Sequence, residues 1–169
     1  KQLKARDLWF KILEVQIEAG MPFMVYKDAC NIKSNQKNIG IIRSSNLCTE
    51  IVEVSNENET ACCNLSSISL PKYVVNGKFN FELLGKVTRF ITEMLNNIID
   101  RNYYPTKESR YSNMRNRPLG IGVQGLAETF MDLDINFESE EARKLNEEIF
   151  ACIYYNALVA SCELAKKDG

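Results

Sequence analysis

Apolar positions along this chain follow a helical period in three stretches, with shorter β-like runs between them. Leu3, Leu8, Trp9, Ile12, Leu13 and Val15 recur at helical spacing and stop at Gly20, the pattern of an amphipathic helix closed by a glycine cap. Pro22 forbids continuation. Residues 23–26 form an apolar run of strand type, and residues 27–38, rich in Asn, Lys and Ser, read mostly as loop with room for a short helix. Ile51, Val52 and Val54 read as a β-type segment before a polar turn over residues 55–60. In residues 79–102, Phe81, Leu84, Val87, Ile91, Leu95 and Ile98 or Ile99 fall on one side of a helix of about six turns. A break centred on Pro105 follows. Residues 117–123 read as a buried strand and residues 126–133 as a short helix. The last helix starts at Ser139, an N-cap residue, with Glu140 and Glu141 in its positive first turn, and can run to Lys167. This alternation predicts an α/β architecture with some parallel pairing, although the strands are too few to close a barrel or a sheet alone. No internal repeat, linker or low-complexity segment interrupts it.

One five-residue stretch carries the densest chemistry. Asn46, Leu47, Cys48, Thr49 and Glu50 set an amide, a thiol and a carboxylate at two-residue intervals. In an extended backbone, side chains at i, i+2 and i+4 project from one face, so neighbouring members stand about 7 Å apart, a span suited to a small polyol such as a ribose. On a helix the three would splay. A site here therefore needs extended or loop geometry.

Composition narrows the options. The 169 residues, 45% hydrophobic and 25% charged, are ordinary for a globular domain with its own core. The formal charge of −1 gives no basic footprint for a nucleic-acid polymer, so a bound nucleotide would be a single small molecule. No uninterrupted run approaches the roughly 18 apolar residues of a membrane span, and residues 1–7 lack a signal-peptide pattern, which predicts a cytoplasmic protein. The absence of an initiator Met suggests a piece of something longer. The six cysteines, Cys30, Cys48, Cys62, Cys63, Cys152 and Cys162, form no C-x-x-C pair or regular framework, and Cys30, Cys152 and Cys162 read as buried apolar fillers. With no histidine, Ser-His and Cys-His hydrolases are excluded within this chain, leaving acid and base work to carboxylates, thiols, tyrosines or lysines.

Three other patterns have simpler explanations. Gly120, Gly122 and Gly125 match G-x-G-x-x-G between a strand and a helix, but the acidic residue that a dinucleotide site needs about twenty residues later falls at the start of the final helix. Close packing explains these glycines better than a nicotinamide site. The pairs Tyr103–Tyr104 and Tyr154–Tyr155 read as packing residues with satisfied hydroxyls. Asn58 with Thr60, and Asn64 with Ser66, match glycosylation acceptors only by coincidence in a chain without a secretion signal.

The segments EAGMPFMVYKDACN, SNLCTEIVEVS, CCNLSSISLPKYV, NRPLGIGVQGLAETF and IFACIYYNALVASCELAKKDG occur in this order along nearly the whole chain. In this the chain resembles the large, catalytic subunit of class I ribonucleotide reductases. The resemblance implies that residues 1–169 are part of the family's ten-stranded α/β barrel of two half-barrels, with a central finger loop carrying the radical cysteine. Effector regions would precede this segment, and the remaining barrel, the radical-transfer tyrosines and the mobile C-terminal cysteines would follow it. By motif, Cys48 corresponds to the radical cysteine, with Asn46 and Glu50 as its substrate-binding and catalytic companions. Cys63, just before Asn64 and Leu65, resembles one half of the redox-active pair that reduces the substrate, whereas its neighbour Cys62 is an addition to the pattern.

The implied activity is ribonucleoside-diphosphate reduction to deoxyribonucleotides for DNA synthesis, by thiyl-radical chemistry ending in a disulfide. No cofactor is expected to bind this chain directly. The radical would come from a small subunit's metal or radical centre, and ATP or dNTP effectors would bind outside this segment. The implied partners are the diphosphate substrate, the small subunit, a second large subunit in a homodimer, and thioredoxin or glutaredoxin as reductant. The alternative is a non-catalytic scaffold retaining the fold; a glycine-loop dehydrogenase is a third reading.

Overall fold

The computed structural model describes residues 2–168, which divide into two compact units, one through Ala61 and one from Cys62 onward. The first contains helix α1, Ala5–Ala19, and helix α2, Lys27–Lys33, followed by irregular chain. Gly20 caps α1 as expected, with φ of 71° and its N–H donating to the Gln16 carbonyl. No α1 residue is buried, so its apolar stripe, including Leu8 and Trp9, lies uncovered. Residues 23–26 and 51–54 do not form strands: neither joins a ladder among the described residues, and an isolated extended run leaves its backbone groups without strand partners. The second run does bury alternate faces in part, with Ile51 and Val54 inside and Val52 exposed.

The second unit follows the expected α/β order more closely. Strand β1, Leu65–Ser69, leads through a single 3₁₀ turn, Leu70–Tyr73, into a small hairpin of β2, Val74–Val75, and β3, Lys78–Phe79. Asn76 and Gly77, with φ of 52° and 71°, make the tight connection. Helix α3, Phe81–Arg101, is capped by Asn80, whose Oδ1 accepts from the Leu83 N–H at 2.9 Å. After Pro105 the chain re-enters a helix absent from the apolar pattern: α4, Lys107–Asn116, capped by Thr106, turns Ser109, Ser112 and Asn113 inward. A polar buried face leaves no hydrophobic period to read. Strand β4, Gly120–Gln124, is partly exposed and pairs parallel with β1, Leu65 opposite Gly120 through Ser69 opposite Gln124. Helix α5, Leu126–Asp132, and helix α6, Glu140–Asp168, complete the unit, and Ser139 Oγ accepts from the Ala142 N–H at 3.1 Å as the N-cap.

The core lies where α6 runs along α3, which also packs against β1. Ile68, Leu70, Leu84, Phe130, Ile149 and Ile153 meet there. Truncating Leu84 or Ile149, both 0% exposed, to Ala would cost about 2–5 kcal/mol through lost contacts and a cavity. By length and composition α6 also passes as a membrane-crossing helix, although its uninterrupted apolar run, residues 149–155, is far shorter than a span. Its stripe of Ala142, Leu145, Ile149, Ile153 and Ala160 is nevertheless buried, and Asn156 and Glu163 accept from Arg89 of α3, which makes it a helix of the core.

The glycine-rich turn is explained by packing. Gly125 has φ of 78°, and a Cβ there would lie 2.6 Å from Pro71 Cδ; one at Gly120 would collide with Leu65 Cδ2. Three packing expectations need correction. Cys162 is exposed rather than buried, and Cys30 and Cys152 are half-buried. Tyr103, Tyr154 and Tyr155 are exposed, because each lies on a surface that this chain leaves open, and only Tyr104 has the expected satisfied hydroxyl, donating to the Ile99 carbonyl at 2.7 Å.

Candidate active site

Asn46, Cys48 and Glu50 come together in a tight turn rather than along an extended strand. The Thr49 N–H donates to the Asn46 carbonyl at 3.1 Å, and Thr49 takes a left-handed φ of 68°, which folds the chain back on itself. The cause lies in the side chain of Asn46. Its Oδ1 accepts from the Ile51 N–H at 3.0 Å, closing the loop, and its Nδ2 donates to Glu50 Oε1 at 2.7 Å. Ser45 Oγ donates to the Ile51 carbonyl at 2.6 Å and completes the neck. Cys48 sits exposed at the tip, between the amide and the carboxylate in sequence. The amide–carboxylate hydrogen bond, with one ionisable partner, is of the stronger kind.

The neck is held from α2 and the residues after it by groups the apolar pattern did not single out. Asn31 mimics a strand partner: its Nδ2 donates to the Ile42 carbonyl at 2.9 Å, and its Oδ1 accepts from the Ile42 N–H at 2.8 Å. Gln36 Oε1 accepts from the Val54 N–H at 2.7 Å. Asn31 and Gln36 thus anchor the two arms of the turn, and only their amide chemistry in a polar stretch hints at this. Next to Val54, Glu53 has one carboxylate oxygen buried without a hydrogen bond, and burial pushes its carboxyl up to about 7.

A cavity of about 610 Å³ runs beside the turn between Val15, Ala19, Phe23 and Leu47. Asn46 reaches it, but Cys48 and Glu50 do not line it. Its apolar walls do not suit a polyol.

Cys63 belongs to the second unit, exposed and two residues before β1, with Cys62 half-buried beside it. The next residue, Asn64, is 5% exposed and rigidly tied: its carbonyl accepts from the Gly120 N–H at 2.9 Å, and its Nδ2 donates to the Pro118 carbonyl at 2.9 Å. A side chain so enclosed is no glycan acceptor. Among the described residues no group of three or more His, Cys, Asp and Glu side chains gathers as a metal site.

The chain thus combines a mixed α/β unit with a separate unit whose turn carries a thiol between a carboxamide and a carboxylate in sequence. The whole chain, residues 1–169, matches the family described as ribonucleotide reductase, barrel domain, and it belongs to that family. It is 57% identical over 169 residues to the ribonucleoside-diphosphate reductase large subunit of Trypanosoma brucei brucei, covering 100% of this chain and 20% of that protein. It is 58% identical over 175 residues to the ribonucleoside-diphosphate reductase large chain 2 of Saccharomyces cerevisiae, again covering 100% of this chain and 20% of the relative. The chain therefore spans about a fifth of the length of these relatives. In three dimensions it superposes on the class Id ribonucleotide reductase alpha subunit of Actinobacillus ureae with a TM-score of 0.76 at 31% identity, covering 95% of this chain and 32% of that one.

Proposed function

We propose that this chain is the part of a ribonucleoside-diphosphate reductase large subunit that carries the radical cysteine and one of the two reducing thiols. The observation that carries the reading is the Asn46–Glu50 hydrogen bond at the base of a turn whose exposed tip is Cys48. In the assembled enzyme this turn is the finger loop at the centre of the barrel.

The chemistry follows from the difficulty of removing a ribose 2′-hydroxyl, because hydroxide is a poor leaving group and the neighbouring carbon resists displacement. A thiyl on Cys48 takes the 3′ hydrogen, forming S–H and leaving a carbon radical. Glu50 accepts the 3′-hydroxyl proton, which pushes electron density toward the 2′ carbon, while Asn46 orients the sugar hydroxyls. The 2′-hydroxyl leaves as water, with a proton from the reducing thiols. Cys63 and its partner thiol together supply two electrons and two hydrogens and end as a disulfide. Cys48 then returns its hydrogen to the 3′ carbon and Glu50 its proton to the 3′ oxygen, and the net change is one ribonucleotide and two thiols to one deoxyribonucleotide, a disulfide and water. Thiol exchange with thioredoxin or glutaredoxin resets the pair.

The radical is delivered by a small subunit, the large subunit works as a homodimer in the cytoplasm, and ATP or dNTP effectors act from other segments. The isolated 169-residue chain forms no product. The test is Cys48→Ser in the intact large subunit assembled with its small subunit. Deoxyribonucleotide formation is expected to vanish while nucleotide binding persists, and undiminished turnover would reduce this segment to a scaffold.

A further inference from the structure

Resting on the reading of Cys63 as a reducing thiol, we propose that Asn113 is a positioning residue for it, acting through Asn64. Cys63 is exposed and is followed by Asn64, the residue that ties the chain to the β1–β4 ladder, so what holds Asn64 bears on where the thiol sits. Asn64 is that hold. Its backbone carbonyl and its Nδ2 are committed to Gly120 and Pro118, which leaves its Oδ1 facing α4, where Asn113 Nδ2 donates to it at 3.2 Å. The second N–H of Asn113 reaches the Tyr104 hydroxyl oxygen at 3.2 Å, and that hydroxyl donates onward to the Ile99 carbonyl of α3 at 2.7 Å. A relay of side-chain amides and a phenol thus runs from the C-terminal end of α3, through the middle of α4, to the backbone beside Cys63.

Two features set this relay apart from ordinary core packing. Asn113 and Asn64, 0% and 5% exposed, lie at a point where an apolar pair would fill the space without a desolvation penalty. Asn113 also leaves its own Oδ1 buried without a hydrogen bond. Turning the amide over would bring two acceptors face to face at Asn64 Oδ1, because Asn64 Nδ2 is engaged with Pro118. The arrangement therefore accepts one orphaned oxygen in order to present two N–H donors. Such a network specifies one geometry more strictly than it adds stability. A reducing thiol needs that geometry, since it must reach the substrate's 2′ carbon and its partner sulfur in turn, and misplacement of a reacting group is expensive in rate.

The test uses the intact large subunit assembled with its small subunit, and compares Asn113→Leu, Tyr104→Phe and Cys63→Ser. Asn113→Leu keeps the branched four-heavy-atom outline and removes both donors. It is expected to lower kcat about tenfold or more with KM for the nucleotide changed less than about twofold. The rate at which Cys63 exchanges with a small aromatic disulfide reagent, in single-turnover samples lacking reductant, should change in parallel. Should Asn113→Leu not fold, Tyr104→Phe removes the hydroxyl's bonds to Asn113 and to the Ile99 carbonyl but leaves the Asn113–Asn64 bond in place, and should show the same pattern at a smaller amplitude. Normal kcat per folded molecule and an unaltered Cys63 exchange rate in a folded variant would overturn the inference, as would a loss confined to thermal stability. Cys63→Ser separates the two levels: if it retains turnover, the assignment of Cys63 fails, whereas loss of turnover there beside neutral Asn113→Leu and Tyr104→Phe defeats the positioning role alone.

Discussion

Asn46 Nδ2 donates to Glu50 Oε1 at 2.7 Å while Asn46 Oδ1 accepts from the Ile51 N–H at 3.0 Å, so one carboxamide both shapes the turn and aims its carboxylate. Asn46→Leu removes both bonds at once. We expect it to destabilise the turn by about 1–3 kcal/mol through the unpaired Ile51 N–H, and to lower turnover of the assembled enzyme about 100-fold. Steady-state kinetics with nucleotide binding measured separately distinguishes the two effects.

Asn31 stands in for a strand opposite Ile42, a buried residue whose segment has no ladder partner among the described residues. Replacing it with Leu leaves an N–H and a carbonyl of Ile42 unpaired and is expected to cost about 2–4 kcal/mol. Asn31→Asp keeps the acceptor for the Ile42 N–H and should lose less. Denaturant titrations of the three chains test the order.

Glu53 gives the first unit a pH dependence of defined sign. Its folded carboxyl titrates at about 7 against an ordinary 4.5, because burial disfavours the charge. The folded chain therefore holds the proton more tightly than the unfolded one. Relative stability is highest below about pH 4.5, falls as the pH rises through the interval to about 7, and is level above it. At pH 8, Glu53→Gln should stabilise the chain by about 1 kcal/mol once solvent screening of this half-exposed group is allowed for. Melting curves of both chains across this range should converge at the acid end.

The glycines of the G-x-G-x-x-G stretch should differ sharply from one another. Gly125→Ala combines a left-handed φ of 78° with a Cβ 2.6 Å from Pro71 Cδ, and is expected to cost about 2–3 kcal/mol. At Gly122 the nearest atom to an added Cβ is the Ser66 carbonyl oxygen at 3.8 Å, so Gly122→Ala should be nearly neutral. A dinucleotide loop would show the opposite, since its second glycine admits the pyrophosphate. Thermal denaturation, with a nicotinamide titration of both variants, decides between them.

The long helices were legible because their signals are local. Gly20 ends α1, Ser139 caps α6, and the 3.6-residue period of Phe81 to Ile99 marks the face that meets the core, whereas the Asn80 cap of α3 emerged only with the structure. Helix α4 escaped because its buried face is Ser109, Ser112 and Asn113, and the β2–β3 hairpin escaped although Asn76–Gly77 is a recognisable turn pair. Residues 23–26 and 51–54 carry strand-like composition without a strand to pair with, and composition cannot supply a partner.

The order of amide, thiol and carboxylate over residues 46–50, the absence of histidine, and the helix periods and caps were determined by the sequence itself, since each depends on residues within a turn or two of one another. Tertiary structure alone decided that Asn31 holds Ile42 across 11 residues and that Asn113 reaches Asn64 across 49. A side-chain amide has no preferred partner until the fold brings a backbone group or a second amide within about 3 Å in the right orientation, and that proximity is a property of packing.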